Sequence, residues 1–328
     1  MARIAVPLAL SREQTRPRDG RLLRCAGPTM GVTWTVSARI PDGLAQADVR
    51  TAVQAAVDDV VRQMSDWDAG SDLSRFNAAP AGWIEVPPGL MQVVQAGLAL
   101  AESTGGAFDP TLGRLVRLWG FGPSGPAAEA PGEAALAGAV AGWRRLDLDT
   151  AGGRIRQPGG LALDLSGIAK GHGVDRAAMA LEGLGVRDYL VEIGGELRGA
   201  GVKGSGEPWF VEIEAPPGGG MEPVLVALHG LSIATSGEWR ARARHGGRSY
   251  GHTLDPASRR PLTNGVEQVS VLHAECMLAD ALCTALAVMG PDAGLAYADA
   301  AGLAALFVLR GADRLREVQS RAFAAMLE

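Results

Sequence analysis

Cysteine is scarce in this sequence: 328 residues hold three, Cys25, Cys276 and Cys283, with none at C-x-x-C spacing. The absence of that spacing excludes a zinc ribbon or a thioredoxin-type motif, and an odd count suits a reducing compartment better than a disulfide framework. Cys276 and Cys283 fall in an apolar helical pattern and read as buried structural thiols. A basic surplus is missing as well. Lys and Arg number 31 against 36 Asp and Glu, a net charge of −5, which excludes a nucleic-acid-binding surface. No apolar run reaches the roughly 18 residues that a membrane span requires. The stretch from Ile4 to Leu10 is interrupted by Pro7 and followed by no small-x-small site, so it falls short of a signal peptide. Arg24 stands before Cys25, where a lipoprotein anchor needs a small residue. The expectation is a cytoplasmic protein with a flexible lead-in over 1–25 and one domain over 26–328.

Two familiar phosphate signatures are also absent. Walker A needs G-x-x-x-x-G-K followed by Ser or Thr, and GIAKGHG (167–173) lacks both the spacing and the hydroxyl. No G-x-G-x-x-G stands at this point either, so a Rossmann cofactor is unsupported.

What is present is an ordinary globular balance, 47% hydrophobic and 20% charged. Val49, Ala52, Val53, Ala56, Val57, Val60, Val61 and Met64 follow i, i+3, i+4 spacing and predict a helix over 48–64. A second helix is predicted over 90–103, stopped by Gly105-Gly106, and a third after Gly167. Two more are predicted over 277–289 and 292–300. Residues 105–126 read as a long loop and 122–133 as a flexible surface insertion. Strands are predicted at 33–40, 144–148, 161–165, 188–193, 209–215, 223–230, 231–235, 268–274 and 303–310. Runs of strands flanked by helices give an α+β class, with mixed and antiparallel sheets in a single large domain.

Five stretches carry chemistry. Lys170 lies among glycines at a helix start, where unpaired N–H groups favour an anion; the competing reading is a solvated lysine with glycines for close packing. Asp280 and Thr284 share one helix face within MLADALCTALAVMG. A carboxylate and a hydroxyl suit a hard cation such as Mg²⁺, or Asp280 is a cap and Thr284 bonds back to a carbonyl. In MSDWDAGSDLSRFN (64–77), Ser71 or Asp72 could cap a further turn, and Arg75 and Asn77 hold either a ligand or the loop itself. Phe108-Asp109-Pro110 suits either a turn with an aromatic face beside a carboxylate or a packed aromatic loop, and His252 is either a structural histidine or, in its polar, turn-rich loop, an imidazole that exchanges protons with a bound substrate.

In order, TMGVTWTV, MSDWDAGSDLSRFN, GGAFDPTLGRLVRLWGFG, DLSGIAKGHGVD, YLVEIGGELRGAG, IATSG, HTLDP and LADALCTAL resemble the ApbE-type flavin transferases over about residues 28–310. The resemblance implies an ApbE-like fold that binds FAD and Mg²⁺. It implies transfer of FMN to a threonine or serine hydroxyl of an acceptor flavoprotein, with AMP released. Met30, Trp67, Ala107, Phe108, Asp109, Asp164 and Lys170 match FAD-binding positions of the family. The Gly167 carbonyl, Asp280 and Thr284 match its metal site, and His252 matches the base for the acceptor hydroxyl. Arg259 departs from the family, standing where relatives commonly carry glycine, as does Cys283 beside the metal positions. The same site could serve a metal-dependent FAD pyrophosphatase giving FMN and AMP, or a non-catalytic FAD-binding module.

Overall fold

The computed structural model describes residues 2–8, 10–11, 13–123, 125, 127, 129–217, 220–237, 242–245, 248–311 and 313–327. The chain runs β1 (Arg3–Ala5), β2 (Arg21–Thr29), β3 (Val32–Ile40), α1 (Gln46–Met64), α2 (Asp72–Ala78), β4 (Gly82–Glu85), α3 (Pro88–Ser103), α4 (Gly113–Leu118) and α5 (Glu133–Gly138). It continues through β5 (Leu148–Asp149), β6 (Arg154–Gln157), α6 (Ala169–Gly183), β7 (Asp188–Ile193), β8 (Glu196–Ala200), β9 (Trp209–Ile213), β10 (Val224–Leu228) and β11 (Leu231–Gly237). It closes with β12 (Arg242–His245), β13 (Arg248–Gly251), β14 (Leu254–Asp255), β15 (Arg260–Pro261), β16 (Val266–His273), α7 (Cys276–Ala300), β17 (Ala304–Arg310), β18 (Leu315–Gln319) and α8 (Arg321–Leu327).

An eight-stranded antiparallel sheet of order β18-β17-β16-β11-β8-β7-β3-β2 forms the centre. Its two faces are both covered, which the period-2 alternation of side chains permits. Ala234, Val269, Val271, Ala305 and Phe307 point to the side of α3 and α7. Their neighbours Ile233, Leu272 and Leu306 point the other way, onto β1, β9, β10 and α8. Towards the β2–β3 end, Val49, Val53 and Val57 of α1 and Val174, Ala177 and Leu181 of α6 cover Trp34, Val36 and Val191. The α+β class with mixed and antiparallel sheets in one domain is therefore what the chain adopts.

Within the lead-in expected over 1–25, residues 3–5 and 21–25 are strands. β1 pairs in parallel with β10, and β2 pairs with β3 along its whole length from Arg21 to Thr29. The apolar residues that looked too few for a signal peptide contribute the buried Ala5 to the layer under the sheet. The long loop expected over 105–126 contains α4, because Leu112, Leu115 and Trp119 sit at helical spacing and close a satellite cluster with Leu136, Ala139 and Leu254. The insertion expected at 122–133 lies partly outside the described residues (124, 126 and 128) and leads into α5. The strand expected at 161–165 is a single bridge, Leu112 to Ala162. Asn77 claims the neighbouring backbone, donating to Leu163 O at 2.9 Å and accepting from Leu163 N at 2.7 Å.

By length and composition alone α7 is long and apolar enough to cross a membrane, although Asp280 and Asp292 interrupt its apolar run. It packs into the core through Ala279, Ala281, Leu282, Ala285 and Leu286, and Gly290 (φ 79°) breaks it into the two helices that the pattern predicts. Where α6 crosses α7, a Cβ on Gly171 would overlap the Cys276 carbonyl oxygen and lie 2.8 Å from Met277 Cα. Backbone cannot swing aside as a side chain can. Gly171→Ala is expected to lose about 2–3 kcal/mol despite alanine's better helix propensity, read as a lower urea midpoint.

Candidate functional site

Several elements end at one place. The β7–β8 turn is Gly194-Gly195, with φ 59° and 103°, a two-residue connection that needs left-handed backbone at both positions. It pairs Ile193 with Glu196 and delivers Glu196 to the site. The start of α6 brings Gly167 and Lys170, α7 brings Asp280 and Thr284, and the end of β11 brings Thr235 and Ser236. A cavity of about 360 Å³ forms between them, lined also by Ala107, Phe108, Asp109, Asp164, His252 and Leu254. A second, more apolar cavity of about 690 Å³ adjoins it, lined by Met30, Val60, Met64, Trp67, Leu73 and Phe121. Val116, Asp164, Ser166 and Lys170 line both. The structure thus puts Met30 and Trp67 in one chamber, the metal-type residues and His252 in the other, and Asp164 and Lys170 at the junction.

Lys170 does not stand as a solvated lysine. Its Nζ is 2.6 Å from Glu196 Oε1, and Glu196 is almost wholly buried. Glu196 Oε2 has no hydrogen-bond partner among the described residues. Burial, then the nearby Asp280 carboxylate, push the Glu196 carboxyl up to about 7, opposed by Lys170. Burial likewise raises Asp280, opposed by Lys170 and by a bond from Gly171. That bond answers part of the helix-terminus argument: Gly171 N, in the first turn of α6, donates to Asp280 Oδ2 at 3.0 Å. An anion does sit at this helix start, and it is the protein's own carboxylate.

Removing Lys170 leaves Glu196 buried beside a second carboxylate. Lys170→Met is expected to cost about 2 kcal/mol, discounted because the lysine is partly exposed. Adding Glu196→Gln should restore most of it. Chemical denaturation of the two variants measures both effects.

Gly167 lies against Thr284, so that a Cβ on it would stand 3.1 Å from Thr284 Oγ1. The Thr284 hydroxyl, the Asp280 carboxylate and the Gly167 backbone are hard oxygen donors of the kind that suits Mg²⁺ or a similar cation. Among the described residues no group of three or more His, Cys, Asp or Glu side chains is arranged to hold a metal. A cation here would complete its shell with phosphate oxygens and water. Cys283 takes no part: its Sγ donates to Ala234 O at 3.1 Å, inside the core.

Asp109 is occupied by its own loop. One oxygen accepts from Thr111 N at 2.8 Å and Thr111 Oγ1 at 2.6 Å, the other from Trp143 N at 3.3 Å, while burial raises its carboxyl. Burial also raises Asp164, which accepts from Ser166 N at 2.7 Å. Phe108 is a core residue whose ring floors the cavity rather than a free stacking face. Trp67, by contrast, is 73% exposed at the rim of the apolar chamber. Arg75 and Asn77 follow the structural reading: Arg75 pairs with Asp72, and Ser71 caps α2 by accepting from Ser74 N at 3.0 Å. Glu196 is the residue that sequence reasoning misses. Its one signal is an acidic residue directly after a Gly-Gly turn.

The ApbE family model matches residues 30–307. The chain is 36% identical to the FAD:protein FMN transferase of Vibrio cholerae over 92% of each chain. It is 33% identical to the enzyme of that name from Haemophilus influenzae, over 99% of this chain and 97% of the other. The apo crystal structure of the flavinyl transferase ApbE from Pseudomonas stutzeri superposes with a TM-score of 0.87 at 38% identity, covering 94% of this chain and 97% of that one.

Proposed function

This chain belongs to the ApbE family, and on that premise we propose that it is an FAD:protein FMN transferase. It takes FAD as substrate and an acceptor flavoprotein as partner, and joins FMN to a threonine or serine hydroxyl of that acceptor. The observation that carries this reading is the pair of adjoining chambers meeting at Lys170 and Asp164. The apolar chamber with Met30 and Trp67 suits a flat ring system. The polar chamber suits a pyrophosphate, with Lys170 as its cation. Mg²⁺, held by Asp280, Thr284 and the Gly167 carbonyl, would offset charge on the phosphate oxygens and the leaving group.

The acceptor oxygen attacks the FMN-side phosphorus in line; the new O–P bond forms as the bond to the AMP oxygen breaks, and AMP leaves. His252 lines the polar chamber and takes the hydroxyl proton. Little covalent work falls to the protein, so positioning and electrostatics dominate. Lys170 reaches phosphate by exchanging Glu196 for the substrate, which Glu196 tolerates once it is protonated or faces the cation.

Intact-mass spectrometry of an acceptor flavoprotein incubated with the protein, FAD and Mg²⁺ tests this reading. The acceptor should gain one FMN with Mg²⁺ present and none in excess EDTA. Free FMN beside an unmodified acceptor would instead favour the pyrophosphatase.

A further inference from the structure

Arg259 has φ 60°, a left-handed conformation that costs any residue with a Cβ and that glycine adopts freely. A strained arginine needs a compensation, and the structure supplies one. Its Nη1 donates to the carbonyls of Leu136 at 2.6 Å, Ala137 at 3.2 Å and Ala139 at 3.2 Å, at the C-terminal end of α5. Its own carbonyl accepts from Trp119 Nε1 at 3.0 Å, and its N–H donates to Asp255 O at 2.8 Å. Next to it, Arg260 pairs with Glu133 at the other end of α5. Two consecutive arginines therefore grip both ends of one short helix.

The gripped segment matters because of what it carries. Residues 254–261 form the β14–β15 hairpin, and Leu262 N donates to Thr253 O at 3.0 Å just below it. His252 is the next residue. Leu254 is buried with Leu112, Leu115, Trp119, Leu136 and Ala139, so the hairpin stands on α4 and α5 rather than on the central sheet. The ring of His252 has no brace of its own: its Nδ1 is buried with no hydrogen-bond partner among the described residues. A general base is ordinarily oriented by a third group. Here the backbone that carries the ring must do that work.

We propose that Arg259 is a positioning residue for the transfer step, clamping α5 onto the β14–β15 hairpin so that His252 is fixed at the mouth of the polar chamber. This rests on the transferase reading for its effect on rate, though not for the clamp itself. Leu112 and Leu254 of the clamped cluster line the polar chamber beside His252, so the effect of the clamp falls on the transfer step.

Arg259→Gly separates clamp from strain, because glycine suits the backbone while removing the guanidinium. The melting temperature should not fall. FAD affinity, followed by flavin fluorescence, should stay within about twofold. Amide exchange over 133–139 and 250–256 should speed up, and kcat for acceptor flavinylation should drop about tenfold, in keeping with the cost of small misplacements. Wild-type kcat in the variant would overturn the proposal, as would a lost kcat with unchanged exchange in both segments. If the native protein flavinylates no acceptor, the transferase reading fails on that control, and unchanged exchange in Arg259→Gly would still overturn the clamp.

Discussion

Asp280→Ala is expected to reduce FMN transfer by about 10³-fold, the scale on which a lost electrostatic contact to the reacting centre is felt. Asp280 is the one carboxylate that reaches the site from α7, four residues from Thr284 and opposite Gly167. Without it, the remaining donors near a cation are a hydroxyl, a carbonyl and Glu196. Divalent-cation affinity should fall in parallel, measured calorimetrically without FAD. Asp280 also accepts the Gly171 N–H, so the alanine leaves a buried donor unpaired, which costs about 1–3 kcal/mol. Relief of its repulsion with Glu196 opposes that cost, and net stability should change little. Asp280→Asn keeps an acceptor for Gly171 while removing the charge. It should lose cation affinity as the alanine does while retaining stability.

The same pair sets a pH dependence. Glu196 is raised to about 7 and Asp280 is raised above its ordinary range, so the metal-free fold holds protons that the unfolded chain releases at lower pH. A raised carboxyl lowers stability as pH climbs from the unfolded value towards the folded one, and a cation that displaces those protons reverses the loss. Mg²⁺ should therefore raise the melting temperature more at pH 8 than at pH 5.5.

The second large effect falls on His252. His252→Ala should lower transfer by about 10²- to 10³-fold, the ordinary worth of a positioned general base, while FAD affinity is unchanged. On this reading the flavin ring occupies the adjoining chamber and Lys170 supplies the cation for the pyrophosphate, so the imidazole, although it lines the polar chamber, adds no charge on which FAD binding depends. A loss of FAD affinity equal to the loss of rate would assign His252 to substrate binding instead. Titrating FAD and acceptor separately distinguishes the two.

The elements that read correctly from sequence are those whose periodicity is local. Val49 to Met64 announce α1, and the Gly290-Pro291 break in α7 is visible as a pause between two apolar patterns. What stayed hidden depends on distant partners. β1 has three residues and exists because β10, more than 200 residues later, offers it an edge. β18 alternates weakly, since it is an edge strand, and α8 has only seven residues over which to show its helical spacing. At the site, the DLSGIAKGHGVD stretch suggested a phosphate, and the resemblance tied it to Asp280 and Thr284. Neither could show that Lys170 is held by Glu196, or that the first turn of α6 is capped by a carboxylate 109 residues away. Such pairings carry no spacing signal. Arg259 is the converse case: the family resemblance marks it as a departure from glycine, and only the fold shows what its guanidinium grips.

The most direct test of the account measures AMP and acceptor-bound flavin in the same reaction, with FAD, Mg²⁺ and an acceptor flavoprotein whose target threonine is intact. One AMP released for each FMN fixed on that threonine, and neither product with excess EDTA or with the threonine replaced by alanine, is the predicted result. AMP produced in large excess over bound flavin, with free FMN accumulating and indifferent to the threonine, would contradict it and make the protein a hydrolase of FAD.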